Sequence, residues 1–173
     1  YFINKEYSNK NTLFYKLIGE NIFSFFYKKV LVLFVECFIF IFLGITIISL
    51  VFSNFSHYLL LLILFSLVIL QYILIVGTIS LISPNVLVSI GISIIYWIGS
   101  IILVAINKNV FGVIAPFEAS NSMYMSIEKI LNNKMNMINS HDVWTIILFF
   151  FIIFIVNFII LISSKNRWLK LGM

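Results

Sequence analysis

Four apolar runs, each long enough to cross a bilayer, leave this chain very few folds. They cover residues 30–53, 58–82, 86–106 and 143–163. A hydrocarbon core of about 30 Å needs about 20 helical residues at about 1.5 Å each. In lipid every backbone N–H and C=O must be paired internally, so a spanning segment is a helix or a closed barrel strand. No alternation of apolar and polar residues runs through these stretches, which excludes the barrel. The expectation is an all-α, polytopic transmembrane helix bundle forming one domain. Composition agrees, with 62% hydrophobic and 10% charged residues against about 25% charged in a soluble domain. The single cysteine, Cys37, lies inside an apolar run and can build neither a disulfide framework nor a zinc site.

The polar lead-in has its own pattern. Lys5, Lys10, Lys16, Lys28 and Lys29 punctuate it, and from Thr12 onward Leu13, Phe14, Leu17, Ile18, Ile22, Phe25 and Phe26 follow helical spacing. Asn11 or Thr12 can cap the start, because a short side-chain oxygen accepts from the first open N–H groups. Lys16 and Glu20 fall largely on the other side. A helix with one apolar and one basic face lies flat in the interface. The reading is an interfacial amphipathic helix within residues 6–26, turning into the membrane at Tyr27-Lys28-Lys29.

Cation placement sets the expected orientation. Five lysines precede the first span, Lys165, Arg167 and Lys170 follow the fourth, and the connection 54–57 carries none. With an even number of spans both ends share a side, and the positive-inside rule makes it cytoplasmic. Segment 107–142 is then external and the tail 164–173 cytoplasmic. In the external segment Lys108, Lys129 and Lys134 balance Glu118, Glu128 and Asp142. Its stretch 110–117 is apolar but too short to span, and 120–137 carries apolar residues at roughly helical spacing. A re-entrant helix followed by a surface helix is expected there, with a flexible loop as the alternative.

Few side chains in the spans can carry chemistry. Glu36 is the one ionisable residue within them that is neither Tyr nor Cys. Charge there marks a site, a relay or an interhelical pair by default, and a structural polar contact is preferred over a transport role. Gln71 and Asn157 can hydrogen-bond between helices and hold the bundle together. Ser89, Ser93 and Ser100 nearly share one face of the third span and Gly91 and Gly99 another. Close packing is the preferred reading, and a water-lined path is the alternative. His57, His141 and Asp142 lack metal-ligand spacing. No nucleophile elbow, phosphate loop or zinc-protease motif is present, so no catalytic residues, cofactor site or metal site are expected. The lysines flank apolar spans and do not form a nucleic-acid patch.

Glu6-Tyr7, then Thr12, an apolar stripe and a lysine at the mouth of a span resemble the coupling segment of type 2 ABC transporter permeases. Asn11 stands where that family carries glycine. The layout is similar as well: span, short loop, span, short turn, span, long external segment, final span, basic tail. On that resemblance the four spans are the family's last four, with further residues expected upstream of Tyr1.

The resemblance implies an exporter subunit for an amphipathic cargo: an antimicrobial peptide, a lipid or a hydrophobic drug. It also implies a separate ATPase subunit that holds the ATP and grips Glu6, Tyr7, Thr12, Leu13, Lys16, Leu17 and Glu20. A second permease subunit and membrane lipid are the other implied partners. The alternative from another class is a membrane scaffold or sensor subunit that moves nothing.

Overall fold

The computed structural model describes residues 3–4, 15, 17, 19–83, 85–111, 114 and 140–170. All regular structure among them is helical. Helix α1 covers Ile22–Val51, α2 Tyr58–Ile82, α3 Val86–Ile106, the single turn α4 Lys108–Phe111, and α5 Ser140–Lys170. Four of these helices, α1, α2, α3 and the segment Val143–Ser164 of α5, are long and apolar enough to cross a membrane. The expected all-α membrane bundle is what the chain forms.

Local chemistry accounts for where the helices break. Tyr15 and Leu17 are helical, Gly19 sits at φ 80°, and the Glu20 N–H reaches back to the Tyr15 carbonyl at 3.0 Å. That six-to-one closure around a left-handed glycine is a Schellman stop, favoured because glycine has no Cβ to clash there. Asn21 is extended and α1 begins at Ile22. The expected bend at Tyr27-Lys28-Lys29 is therefore corrected, because α1 runs through those residues unbroken and the turn falls at Gly19–Asn21. Residues 22–26, assigned from their spacing to the interfacial helix, belong instead to the first spanning helix.

The other end of α1 stops in the same way. Ser53 adopts φ 48° and the Asn54 N–H bonds the Ser49 carbonyl at 3.0 Å. Asn54 Oδ1 then accepts from the Ser56 N–H and hydroxyl at 3.0 and 2.7 Å, an Asx turn that leads into α2. Asn85 caps α3, its side chain accepting from the Leu87 N–H at 2.9 Å. Asn4, fully buried, donates to the Ser83 carbonyl at 2.7 Å and pins the start of the chain beneath the α2–α3 turn.

Helix α2 is the hub, packing against α1 on one side and α5 on another, with α3 leaning on it more lightly. One apolar cluster joins Ile22, Phe25, Phe26 and Val30 to Leu74, Leu81, Phe149, Ile153 and Leu161 at the Lys28–Lys29 end. A second joins Ile45, Leu61, Leu64 and Ile146 towards the other end. Successive spans run antiparallel and α5 carries the fourth, so the amino end of α1 meets the carboxyl half of α5, where Phe23 and Phe158 lie 5.5 Å apart. Gly77 lets α1 and α2 close up: a Cβ there would stand 3.1 Å from two ring carbons of Phe26. Small residues at such crossings replace the hydrophobic drive that lipid does not supply.

Candidate functional site

The polar residues inside the spans divide into two groups. Gln71, at 2% exposure, turns into the bundle and donates from Nε2 to the Ile146 carbonyl at 3.0 Å, bridging α2 and α5. Asn157, at 0% exposure, accepts from the Tyr27 hydroxyl at 3.0 Å and bridges α5 to α1. Its Nδ2 has no hydrogen-bond partner among the described residues. Both act as interhelical ties, which suits groups that lipid would leave unsatisfied.

Glu36 is different. It sits at the middle of α1 on an exposed face shared with Val32, Val35, Ile39 and Phe40. No ion pair or hydrogen bond to it occurs among the described residues, so the preferred structural contact is not made there. Seven residues past Lys29, it lies about 10 Å deeper and within about 20° of it around the helix. A carboxyl at that depth normally faces protein or a water-filled cavity.

At the Lys28–Lys29 end, Leu17 is 86% exposed just before the glycine stop. Glu20 forms an ion pair with Lys28 across the turn, tying the lead-in to the first turns of α1. The Lys29 ammonium lies 5.8 Å above the Phe25 ring, a cation–π arrangement. Glu6, Tyr7, Thr12, Leu13 and Lys16 lie outside the described residues, as does nearly all of 107–142 beyond α4. The re-entrant and surface helices expected there fall in that part of the chain.

A groove of about 530 Å³ runs between α1 and α2. Lys29, Leu33 and Cys37 form one wall, Ile69, Tyr72, Val76 and Ser80 the other, and Ile3 closes one end. Sequence reasoning missed it, because each of these residues looked like ordinary span. The only hint was Lys29, which with Lys28 stands two turns inside α1.

In α3, Ser89 and Ser100 are buried and Ser93 is half-buried. Ser89 and Ser80 share a hydrogen bond at 2.9 Å between α3 and α2, while Ser93 and Ser100 return theirs to the carbonyls of Ser89 and Trp97. Gly91 and Gly99 face open space, so the glycine side of α3 packs on nothing among the described residues. No group of three or more metal-binding side chains occurs among the described residues; the side chains of His141 and Asp142 lie outside them.

Spanning helices tied together by buried amide side chains, with a broad apolar exterior, define a multi-pass membrane protein. Over residues 1–173 the chain matches the family described as peptide export permease protein YydJ, and it belongs to that family. It is 61% identical to the probable peptide export permease protein YydJ of Bacillus subtilis (strain 168), across all of this chain and 72% of that protein. No solved structure matches it.

Proposed function

We propose that this chain is the membrane subunit of an ATP-driven exporter of the type 2 ABC permease kind, and that its cargo is a peptide. The family match supports the export role, and the relative's printed name supports the peptide. The observation that carries the coupling assignment is Leu17, 86% exposed on a helical turn that ends immediately before α1. An exposed leucine beside a rigid glycine stop offers an apolar contact to a cytoplasmic ATPase subunit. The Glu20–Lys28 pair makes that turn move with α1, so a push on Leu17 is passed to the first span.

In this reading both ends of the chain are cytoplasmic, following the cation distribution. Two permease subunits face one another across the export path, and the Glu36 face of α1 is turned to that path. There a carboxyl is hydrated and opposes no lipid, which relieves the cost of exposing it. The wall around it, built from Val32, Val35, Ile39 and Phe40, buries apolar cargo surface without demanding one shape.

Co-purification of the intact protein from its native membrane tests this directly. A nucleotide-binding subunit is expected to come with it, and Leu17→Asp is expected to separate ATP hydrolysis from export while the spans remain folded. A complex with no nucleotide-binding subunit overturns the proposal and leaves a scaffold or sensor.

A further inference from the structure

One face of α1 is exposed along most of its length and is polar at a single point. Val32, Ile39, Phe40, Leu43, Ile47 and Leu50 are each about half exposed or more, and Glu36 is the one polar residue among them. At helical spacing they fall within about 100° around the axis, and from Val32 to Leu50 the rise is about 27 Å, close to the about 30 Å of a hydrocarbon core. Glu36 stands near the midpoint of Ile22–Val51, about 20 Å of helix from either end.

No cation of the spans themselves can neutralise that carboxylate. Neither Lys nor Arg occurs between Lys29 and Lys108, nor within 143–163. Lys28 is paired with Glu20, Lys29 stands over the Phe25 ring, and no ion pair to Glu36 occurs among the described residues. The complement therefore comes from outside the spans. A carboxylate accepts hydrogen bonds and donates none, so its best complement is a positively charged donor. The ammonium of a lipid headgroup stays at the bilayer surface, far short of the midpoint of α1.

We infer that Glu36 selects the cargo, taking the side-chain cation of a peptide in which lysine or arginine stands among apolar residues. The cation pairs with the carboxylate while the flanking side chains lie along Val32, Ile39 and Phe40. An acidic residue at the same level meets like charge, and a neutral polar one leaves the carboxylate without a charged partner, so both are disfavoured. The inference rests on the reading that this face of α1 lines a peptide path, and it names the kind of peptide.

Peptide binding to the intact permease, with the subunits that co-purify with it, tests this in nanodiscs of zwitterionic lipid without nucleotide. Empty nanodiscs give the blank. The probes are three labelled leucine–alanine peptides that differ only at the central residue, which is lysine, glutamine or glutamate. The lysine peptide is expected to be favoured over the glutamine peptide about tenfold, the margin of one charge-assisted hydrogen bond, and the glutamate peptide to bind more weakly still. Glu36→Asp is expected to keep that order, Glu36→Gln to bind the lysine and glutamine peptides alike, and Glu36→Lys to favour the glutamate peptide. All three substitutions fall on an exposed position and leave the packed interior untouched. Equal binding of the three peptides to the wild type overturns the inference and leaves the peptide path standing, as does a lysine preference that survives Glu36→Gln. Binding of no peptide at all overturns both the inference and the path on which it rests.

Discussion

Gly77→Ala puts the α1–α2 crossing to a quantitative test. The added Cβ meets Cε2 and Cζ of Phe26 at 3.1 Å, nearer than ordinary van der Waals contact. Phe26 is fully buried and its ring stands edge-on to Tyr27 at a centroid distance of 5.4 Å, so it has little room to withdraw. Overpacking of this kind costs about 1–3 kcal/mol. Replacing a helical glycine by alanine returns about 1 kcal/mol of propensity, so the net loss is about 0–2 kcal/mol. Gly91→Ala is the matched control: nothing lies within 4 Å of its added Cβ, so only the propensity gain remains. Unfolding in mixed dodecyl sulfate micelles, followed by far-UV circular dichroism, should place the two variants about 1–3 kcal/mol apart, with Gly77→Ala the weaker. Adding Phe26→Leu should recover part of the loss, with a coupling energy of at least about 0.5 kcal/mol. Equal stability of Gly77→Ala and Gly91→Ala would refute close packing of α1 on α2.

The buried amides and Glu36 give two more expectations. Tyr27→Phe strips the remaining hydrogen bond from Asn157 and should cost about 1–2 kcal/mol in the same unfolding assay. Tyr27→Phe combined with Asn157→Leu should lie close to wild type, because neither partner is then left unsatisfied; a double variant weaker than Tyr27→Phe alone would contradict the tie. Glu36→Leu should ease insertion of the first span by about 3 kcal/mol in a translocon assay, yet reduce peptide export in vesicles. Undiminished export would remove Glu36 from the path.

Much of the architecture was legible because the bilayer allows so few backbone solutions. Long apolar runs must be helices in lipid, and Pro84 and the polar residues 54–57 mark connections between them. The site was less legible. The apolar spacing that runs from Leu13 to Phe26 continues across Gly19, and side-chain periodicity says nothing of a backbone stop. The stop comes from a glycine taking a left-handed conformation, and a Gly between helical residues is tolerated often enough to pass unnoticed. The α1–α2 groove left no pattern at all, since its walls are residues that any span could carry.

Sequence alone determined that this chain crosses a membrane as a bundle of helices, where the spans lie, and which few side chains within them are polar. Hydrophobic cost is additive along a chain, so those properties survive without knowledge of neighbours. Tertiary structure alone decided which of those side chains face inward. Helix α2 is apolar on every side and offers no stripe from which its contacts could be read. Gln71 and Asn157 turned in and Glu36 turned out only once α2 had packed between α1 and α5. The same packing set Lys29 in the wall of a groove, because the width between two helices is a property of both surfaces and is encoded in neither one by itself.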